Sequence, residues 1–145
     1  MRVGIIGGGA SGLVCACVLA EKKNIEVTVF EKNERVGKKL LSTGNGRCNL
    51  TNLSASFEDY YGSKEFVRPA LEKFTPQSNV EFFEKLGLFT RADSEGRVYP
   101  LSNQASSVLD CLRFACERLG VRFVCSCEIQ KIAQKNGKYL LNDEY

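Results

Sequence analysis

A glycine-rich run at residues 7–12, GGGASG, constrains the fold more than any other feature of the sequence. It follows apolar residues 2–6, which are typical of a short buried parallel strand, and it precedes apolar residues that recur at helical spacing. Gly7, Gly9 and Gly12 match the dinucleotide-binding fingerprint, in which missing side chains allow a tight turn, the approach of a pyrophosphate and close helix–strand packing. The sequence therefore predicts a strand–turn–helix unit whose helix N-terminus faces bound phosphates.

The second predicted strand ends in an acidic residue that supports this interpretation. Residues 25–30 are rich in β-branched side chains, and Glu31 follows Gly12 by about 20 residues, the spacing expected of a ribose-binding acid. A carboxylate there can accept both ribose hydroxyls of an adenosine half and repels a 2′-phosphate, so FAD or NAD is favoured over NADP. The alternative is an ordinary strand–helix–strand unit with a surface glutamate.

Length and composition exclude several functional classes. The 145 residues suffice for one domain with a core but not for two domains of ordinary size. The absence of histidine excludes Ser-His-Asp and Cys-His catalysis and imidazole metal ligands, and we expect no metal site. The net charge of +3 is mild and its basic and acidic residues are interleaved, which does not indicate nucleic-acid binding.

The cysteines and the apolar pattern predict the compartment. The seven cysteines form no C-x-x-C pair and do not have the spacing of zinc ligands. We therefore interpret most of them as core residues with reduced thiols. No apolar run approaches the length of a membrane span, and residues 1–6 lack the longer apolar core of a secretory signal. We therefore expect a cytoplasmic protein without a membrane partner.

A second glycine-containing segment, residues 32–52, is polar and basic. Gly44 and Gly46 allow the backbone to turn its N–H groups toward an anion, while Lys38 and Arg47 add positive charge near a pyrophosphate. A polar surface loop is the simpler interpretation of this segment taken alone.

These motifs together resemble those of one flavoprotein family. The run at residues 7–12, the Glu31-Lys32 pair and the segment GKKLLSTGNGRCNLTN at residues 37–52 are similar to the BaiN-like flavoproteins. Residues 96–105 extend the similarity, which covers the chain to about Ile132. The resemblance implies an FAD-dependent, often NAD(P)H-linked oxidoreductase, built on the two-dinucleotide-domain reductase architecture with an inserted domain.

The resemblance also implies which residues contact FAD. It places Gly7, Gly9, Ala10, Ser11 and Gly12 at the pyrophosphate, Glu31 at the adenosine ribose, Lys32 and Lys38 beside them, Gly44, Gly46, Arg47, Cys48 and Asn49 toward the flavin, and Ile129 at the adenine edge through its backbone. No residue of this chain can be named as a catalytic acid or base.

The activity that the resemblance implies is hydride transfer from NAD(P)H or a reduced substrate to the flavin, with a small-molecule substrate that the sequence does not identify. The family is considerably longer than 145 residues, so we expect the amino-terminal FAD-binding part of such an enzyme, without turnover of its own. Two alternatives stay open: a non-catalytic dinucleotide-binding or interaction module, and an NAD-binding domain.

The remaining segments predict one partial FAD-binding domain over residues 1–145, with a helical and hairpin segment at 53–101 within it. Further elements are predicted from the spacing of apolar and turn residues: helices beginning after Ser63, at Thr75-Pro76 and at Ser102, a hairpin around residues 93–96, a parallel strand over 121–127, and a second hairpin centred on Asn136-Gly137. The fold class is α/β, a Rossmann-like FAD/NAD(P)-binding three-layer fold with a mainly parallel sheet, an added β-hairpin layer and an incomplete sheet. An exposed strand edge then predicts self-association.

Two further patterns are similar to catalytic motifs. Tyr60 and Lys64 form the Tyr-x-x-x-Lys pair of short-chain dehydrogenases, although Gly62-Ser63 would break the helix that this pair requires. Cys48 follows an arginine and suggests a redox thiol, but no neighbouring cysteine can resolve it, so a structural or cofactor-adjacent cysteine is favoured.

Overall fold

A computed structural model of the chain describes residues 1–144. These residues divide into two compact units, the first formed by residues 1–38 and 112–144 and the second by Lys39–Cys111. The predicted segment 53–101 lies within the second unit, and whether the chain behaves as a single domain stays a prediction. Within residues 1–144, no helix has the length and apolar character needed to cross a bilayer.

The first unit is built on a parallel three-stranded sheet. Strand β1 (Arg2–Ile6) leads into helix α1 (Ala10–Ala20), strand β2 (Glu26–Phe30) follows, and helix α4 (Ala105–Arg118), in which the boundary between the units falls, leads to strand β6 (Arg122–Val124). The sheet order is β1-β2-β6, and both strand pairs are parallel. The predicted α/β fold with a parallel sheet is confirmed.

The buried side chains of this unit come mainly from both helices and from the central strand, and Val121 lies between α4 and β6. They are mostly small or branched: Leu13, Ala16, Cys17, Val27, Val29, Phe30, Leu112, Ala115, Cys116 and Val121. The prediction that most of the cysteines are core residues is confirmed for only three of the seven, because Cys15 is exposed and Cys111, Cys125 and Cys127 are half-buried. In the core of this unit, the Sγ atoms of Cys17 and Cys116 lie 3.3 Å apart and share a hydrogen bond.

Two expectations about the sheet are corrected. Strand β1 is not buried but alternates between exposed and half-buried positions, because it is an edge strand of the sheet and pairs with β2 alone within residues 1–144. Strand β6 ends at Val124, so Cys125 and Cys127 follow the strand and do not belong to it.

A separate hairpin follows β6 in the first unit. Strands β7 (Ile132–Lys135) and β8 (Lys138–Leu141) pair antiparallel. The two turn residues, Asn136 and Gly137, both have positive φ, at 52° and 73°. This is the backbone that a two-residue hairpin turn requires, and the prediction from Asn-Gly is confirmed.

The second unit carries a small antiparallel sheet and two helices. Its elements are a 3₁₀ segment at Leu40–Gly46, strand β3 (Thr51–Asn52), a 3₁₀ turn at Phe57–Asp59, helices α2 (Lys64–Lys73) and α3 (Pro76–Lys85), and strands β4 (Thr90–Ala92) and β5 (Arg97–Pro100). The sheet order is β3-β5-β4. Asp93 accepts hydrogen bonds from the backbone N–H groups of Glu95 and Arg97, which closes the predicted β4–β5 hairpin.

The three helix starts differ in how well local signals predict them. At α3, the Thr75 hydroxyl accepts from the Ser78 N–H at 3.1 Å and Pro76 occupies the first turn, as predicted. Helix α2 runs through Pro69 as one segment and buries none of its residues. Helix α4 begins at Ala105 rather than at Ser102, because Asn103 has a left-handed φ of 57° that a helix cannot include.

Candidate dinucleotide site

The turn between β1 and α1 presents backbone N–H groups at a helix start. Gly7 has a φ of 99° and donates its N–H to the Phe30 carbonyl at 2.7 Å, which ties the turn to β2. Gly9 is the N-cap residue of α1 and has no side chain with which to cap the first turn. The first N–H groups of a helix have no intrahelical acceptor, so this end of α1 can bind an anion.

The fingerprint glycines have different physical roles. A Cβ atom added to Gly12 would lie 2.0 Å from the Gly7 carbonyl oxygen, so Gly12 allows the helix to pack directly against the turn. A Cβ atom added to Gly9 would have no heavy atom within 4 Å, so the space in front of Gly9 is open. The turn therefore leaves open the position at which a phosphate would approach the backbone.

The Glu31 carboxylate lies against this turn and accepts three hydrogen bonds. The Gly8 N–H donates to Oε2 at 2.7 Å, the Asn33 N–H donates to Oε1 at 2.9 Å, and the Asn33 side-chain amide donates to Oε1 as well. Glu31 is only 7 % exposed. The carboxylate is thus fixed in position beside the fingerprint before any ligand binds.

Glu31 remains ionised in this position. Burial acts to raise the pKa of the carboxyl, but the hydrogen bonds donated by Asn33 and Gly8 and the charge of Lys32 outweigh it, so the pKa lies below its ordinary value. A buried anion at this site would repel a second negative charge such as a 2′-phosphate.

Four residues outside the predicted set, Gly8, Asn33, Val36 and Gly37, shape the site. The Gly8 carbonyl accepts the Gly37 N–H at 2.7 Å, and a Cβ atom on Gly8 would lie 2.5 Å from Cγ1 of Val36. Asn33 holds Glu31 as described above. The one sequence signal for these contacts was the position of Gly8 between two fingerprint glycines.

The segment after β6 lies beside Glu31. The Cys127 N–H donates to the Glu31 carbonyl at 2.9 Å, and the Ser126 N–H donates to the Asn33 carbonyl at 2.8 Å. The predicted adenine contact, Ile129, follows two residues later and is half-buried. This path brings the backbone near Ile129 close to the residue predicted to bind the ribose.

The two predicted lysines contribute exposed positive charge. Lys32 follows Glu31 directly, and its ammonium nitrogen lies 3.9 Å from the Glu128 carboxylate, in an exposed pair of small energetic weight. Lys38 is exposed and is the last residue of the segment 1–38 that belongs to the first unit.

The predicted flavin-side loop folds compactly within the second unit. Gly44, Asn45, Gly46 and Cys48 all have positive φ, which gives the loop several left-handed turns. The Arg47 N–H donates to the Gly44 carbonyl at 3.2 Å. Asn49 is exposed, and a Cβ atom on Gly44 would lie 2.6 Å from its backbone nitrogen.

Arg47 and Cys48 occupy opposite environments in this loop. The Arg47 guanidinium lies 4.4 Å from the centre of the Tyr99 ring and is otherwise exposed. Cys48 is buried, and burial raises the pKa of its thiol despite a hydrogen bond with Thr43. A protonated, buried thiol is a poor nucleophile, so the structure argues against a redox role for Cys48.

The structure thus places the predicted residues in two sets. Gly7 to Gly12, Glu31, Lys32, Lys38 and Ile129 belong to the first unit, whereas Gly44, Gly46, Arg47, Cys48 and Asn49 belong to the second. Their combination in one FAD site stays a prediction. Tyr60 precedes α2 and Lys64 begins it, so they do not form the helical Tyr-x-x-x-Lys pair. Residues 1–144 contain no cluster of side chains able to hold a metal ion.

A family model described as the HI0933-like protein Rossmann domain matches residues 1–144. Two characterised proteins are similar in sequence to almost the whole of this chain. The 3-dehydro-bile acid delta(4,6)-reductase of Clostridium scindens is 43% identical over 90% of this chain and 32% of its own length. The ribosomal RNA dihydrouridine synthase of Haemophilus influenzae is 30% identical over 97% of this chain and 33% of its own length. The chain therefore spans about one third of these relatives.

A solved structure shares the fold. The 3-ketosteroid-delta4-(5alpha)-dehydrogenase of Rhodococcus jostii, solved in complex with 4-androstene-3,17-dione, superposes with a TM-score of 0.65. The match covers 95% of this chain and 42% of that one at 14% identity. At this identity the similarity concerns the fold alone.

Proposed function

Because the chain belongs to the HI0933-like protein Rossmann domain family of FAD-dependent oxidoreductases, we propose that it binds FAD and forms the cofactor-binding part of such an enzyme. The observation that carries this proposal is the open space in front of Gly9, at the start of α1 and beside the ionised Glu31. This arrangement fits a pyrophosphate next to an adenosine ribose.

Each part of the site has a distinct role in holding the cofactor. The N–H groups of Ala10, Ser11 and Gly12 at the start of α1 bind the pyrophosphate, and Glu31 accepts a hydrogen bond from the adenosine ribose. The backbone near Ile129 borders the adenine.

Basic and loop residues complete the proposed site. Lys32 and Lys38 add positive charge near the phosphates. We propose that the loop from Gly44 to Asn49 binds the flavin end of FAD. Within the second unit, the Arg47 guanidinium contacts the Tyr99 ring.

When bound, FAD supplies hydride transfer, while the protein supplies position and electrostatics. We propose NAD(P)H or a reduced substrate as the hydride donor and a small molecule as the substrate. The greater identity to the bile-acid reductase than to the ribosomal RNA dihydrouridine synthase supports a small-molecule substrate, as does the mild net charge of +3. A cytoplasmic location is part of the proposal, in line with the free cysteines.

We propose the oxidoreductase activity only for a protein as long as these relatives. Because the chain spans about one third of these relatives, we propose no turnover by the 145 residues alone. Their separate task is to bind and orient the cofactor.

A titration with FAD, NAD and NADP in parallel tests this proposal. We expect FAD to bind with a saturable change in its flavin fluorescence. We expect NAD to bind more weakly and NADP least of all, because the ionised Glu31 repels a 2′-phosphate. The Glu31→Ala variant should lose about tenfold or more in FAD affinity, the value of a hydrogen bond to a charged group. Tight NAD binding with no FAD binding would favour an NAD-binding domain, and FAD binding without turnover in a protein of the relatives' length would favour a non-catalytic module.

A further inference from the structure

The hydrogen bonds on Glu31 leave the two carboxylate oxygens unequal. Oε1 accepts two donors, the backbone N–H of Asn33 at 2.9 Å and the Asn33 side-chain amide. Oε2 accepts one donor, the Gly8 N–H at 2.7 Å. A carboxylate oxygen has about two acceptor positions, so Oε1 is saturated and Oε2 keeps one free position.

From this we propose that Asn33 is a positioning residue that limits Glu31 to one ribose hydroxyl. The inference rests on the proposed function, since it concerns the same adenosine ribose. A glutamate with both oxygens free would accept the 2′- and 3′-hydroxyls together. Here only Oε2 is available, so one hydroxyl is recognised by Glu31 and the other is not.

The backbone around Asn33 keeps this arrangement in place. The Asn33 carbonyl accepts the Ser126 N–H at 2.8 Å, and the Glu31 carbonyl accepts the Cys127 N–H at 2.9 Å. On the other side, the Gly8 carbonyl accepts the Gly37 N–H at 2.7 Å. Since all three residues that meet at the carboxylate are fixed by neighbouring segments, Glu31 cannot turn Oε1 toward a ligand without breaking several hydrogen bonds.

The test uses ADP as a probe of the adenosine half, together with 2′-deoxy-ADP and 3′-deoxy-ADP. Dissociation constants are measured by calorimetry for the full chain. We expect one deoxy analogue to bind about tenfold or more weakly than ADP, which is the value of a hydrogen bond to a charged acceptor, and the other to bind within about twofold of ADP.

Variants show whether Asn33 sets this selectivity. In Asn33→Ala the side-chain donor is lost and Oε1 regains an acceptor position, so both deoxy analogues should then bind more weakly than ADP. Glu34→Ala is the matched control, because Glu34 is an exposed neighbour and should keep the wild-type selectivity. A general loss of structure would weaken all three probes alike and would not change their ratios.

Equal losses for both deoxy analogues with the wild-type chain, or no loss for either, would overturn the inference even if Asn33→Ala failed to fold. The inference would also be overturned if Asn33→Ala folds and keeps the wild-type ratios of the dissociation constants for the three probes. Failure of the wild-type chain to bind either FAD or ADP would instead refute the proposed function, and with it this inference.

Discussion

Replacement of Gly12 by alanine should destabilise the first unit strongly, whereas the same change at Gly9 should not. A Cβ atom at position 12 would lie 2.0 Å from the Gly7 carbonyl oxygen and 3.5 Å from Cγ2 of Ile5. Real Cβ contacts essentially never fall below 3.0 Å, so the turn and the helix would have to separate by about 1 Å.

The magnitude follows from two opposing effects. Overpacking of this kind costs about 1–3 kcal/mol and occasionally more, while alanine in a helix gains about 0.5–1 kcal/mol over glycine. The clash at Gly12 involves backbone on the turn side, which cannot rotate away as a side chain does, so we expect a net loss of about 2 kcal/mol. At Gly9, where φ is −79° and the space is open, the change should stay within about 1 kcal/mol.

Urea unfolding followed by circular dichroism measures both variants against the wild-type chain. The free energies of unfolding should rank wild type, Gly9→Ala and then Gly12→Ala, with unchanged m-values. Equal stability of the two variants would refute the reasoning, because it would mean that Gly12 does not hold the helix against the turn.

Three further predictions concern charge, thiols and assembly. Because the pKa of Glu31 is lowered in the folded state, its stabilising effect should be complete above the ordinary value of 4.5 and should be lost as pH falls below it; Glu31→Gln should remove that part of the acid dependence in urea unfolding, and an unchanged acid limb would contradict this. Timed alkylation with mass spectrometry should modify the exposed Cys15 first and the buried Cys17, Cys48 and Cys116 only on unfolding; alkylation of Cys48 as fast as Cys15 would contradict the raised pKa of its thiol. The edge of β1 that has no partner strand within residues 1–144 should cause self-association at high protein concentration, and a clean monomer in size-exclusion chromatography would count against it.

Local signals predicted the parts of the structure that depend on neighbouring residues. The Asn-Gly turn of the β7–β8 hairpin and the Thr-Pro start of α3 both depend on the backbone preferences of two adjacent residues, and both are confirmed. The strand–turn–helix at residues 2–20 is also confirmed, because it depends on a local pattern of apolar residues and spaced glycines.

Long-range arrangement was harder to predict. The edge position of β1 depends on which side of β2 is taken by β6, a strand more than 90 residues away along the chain, and no local pattern encodes that choice. The late start of α4 depends on a left-handed Asn103, a conformation that asparagine permits but does not require.

The candidate site shows the same division. The fingerprint glycines and Glu31 could be predicted as site residues from their spacing in the sequence, because each of them has its own chemical role. The hydrogen-bond partners of Glu31 could not be predicted in this way. Gly8 lies 23 positions before Glu31 and contributes only a backbone N–H, which every residue except proline has.

Thermal unfolding of the wild-type chain and of Gly9→Val, each with and without FAD, tests the central claim most directly. FAD at about 100 times its dissociation constant should stabilise the wild-type chain by about 2.7 kcal/mol, which corresponds to a rise in Tm of about 5–10 °C. Gly9→Val should fold with a Tm close to that of the wild-type chain, since a Cβ atom at this position has no heavy atom within 4 Å, but should show no rise with FAD. A wild-type Tm that FAD does not change, or a Gly9→Val variant that FAD stabilises as much as the wild type, would contradict the account.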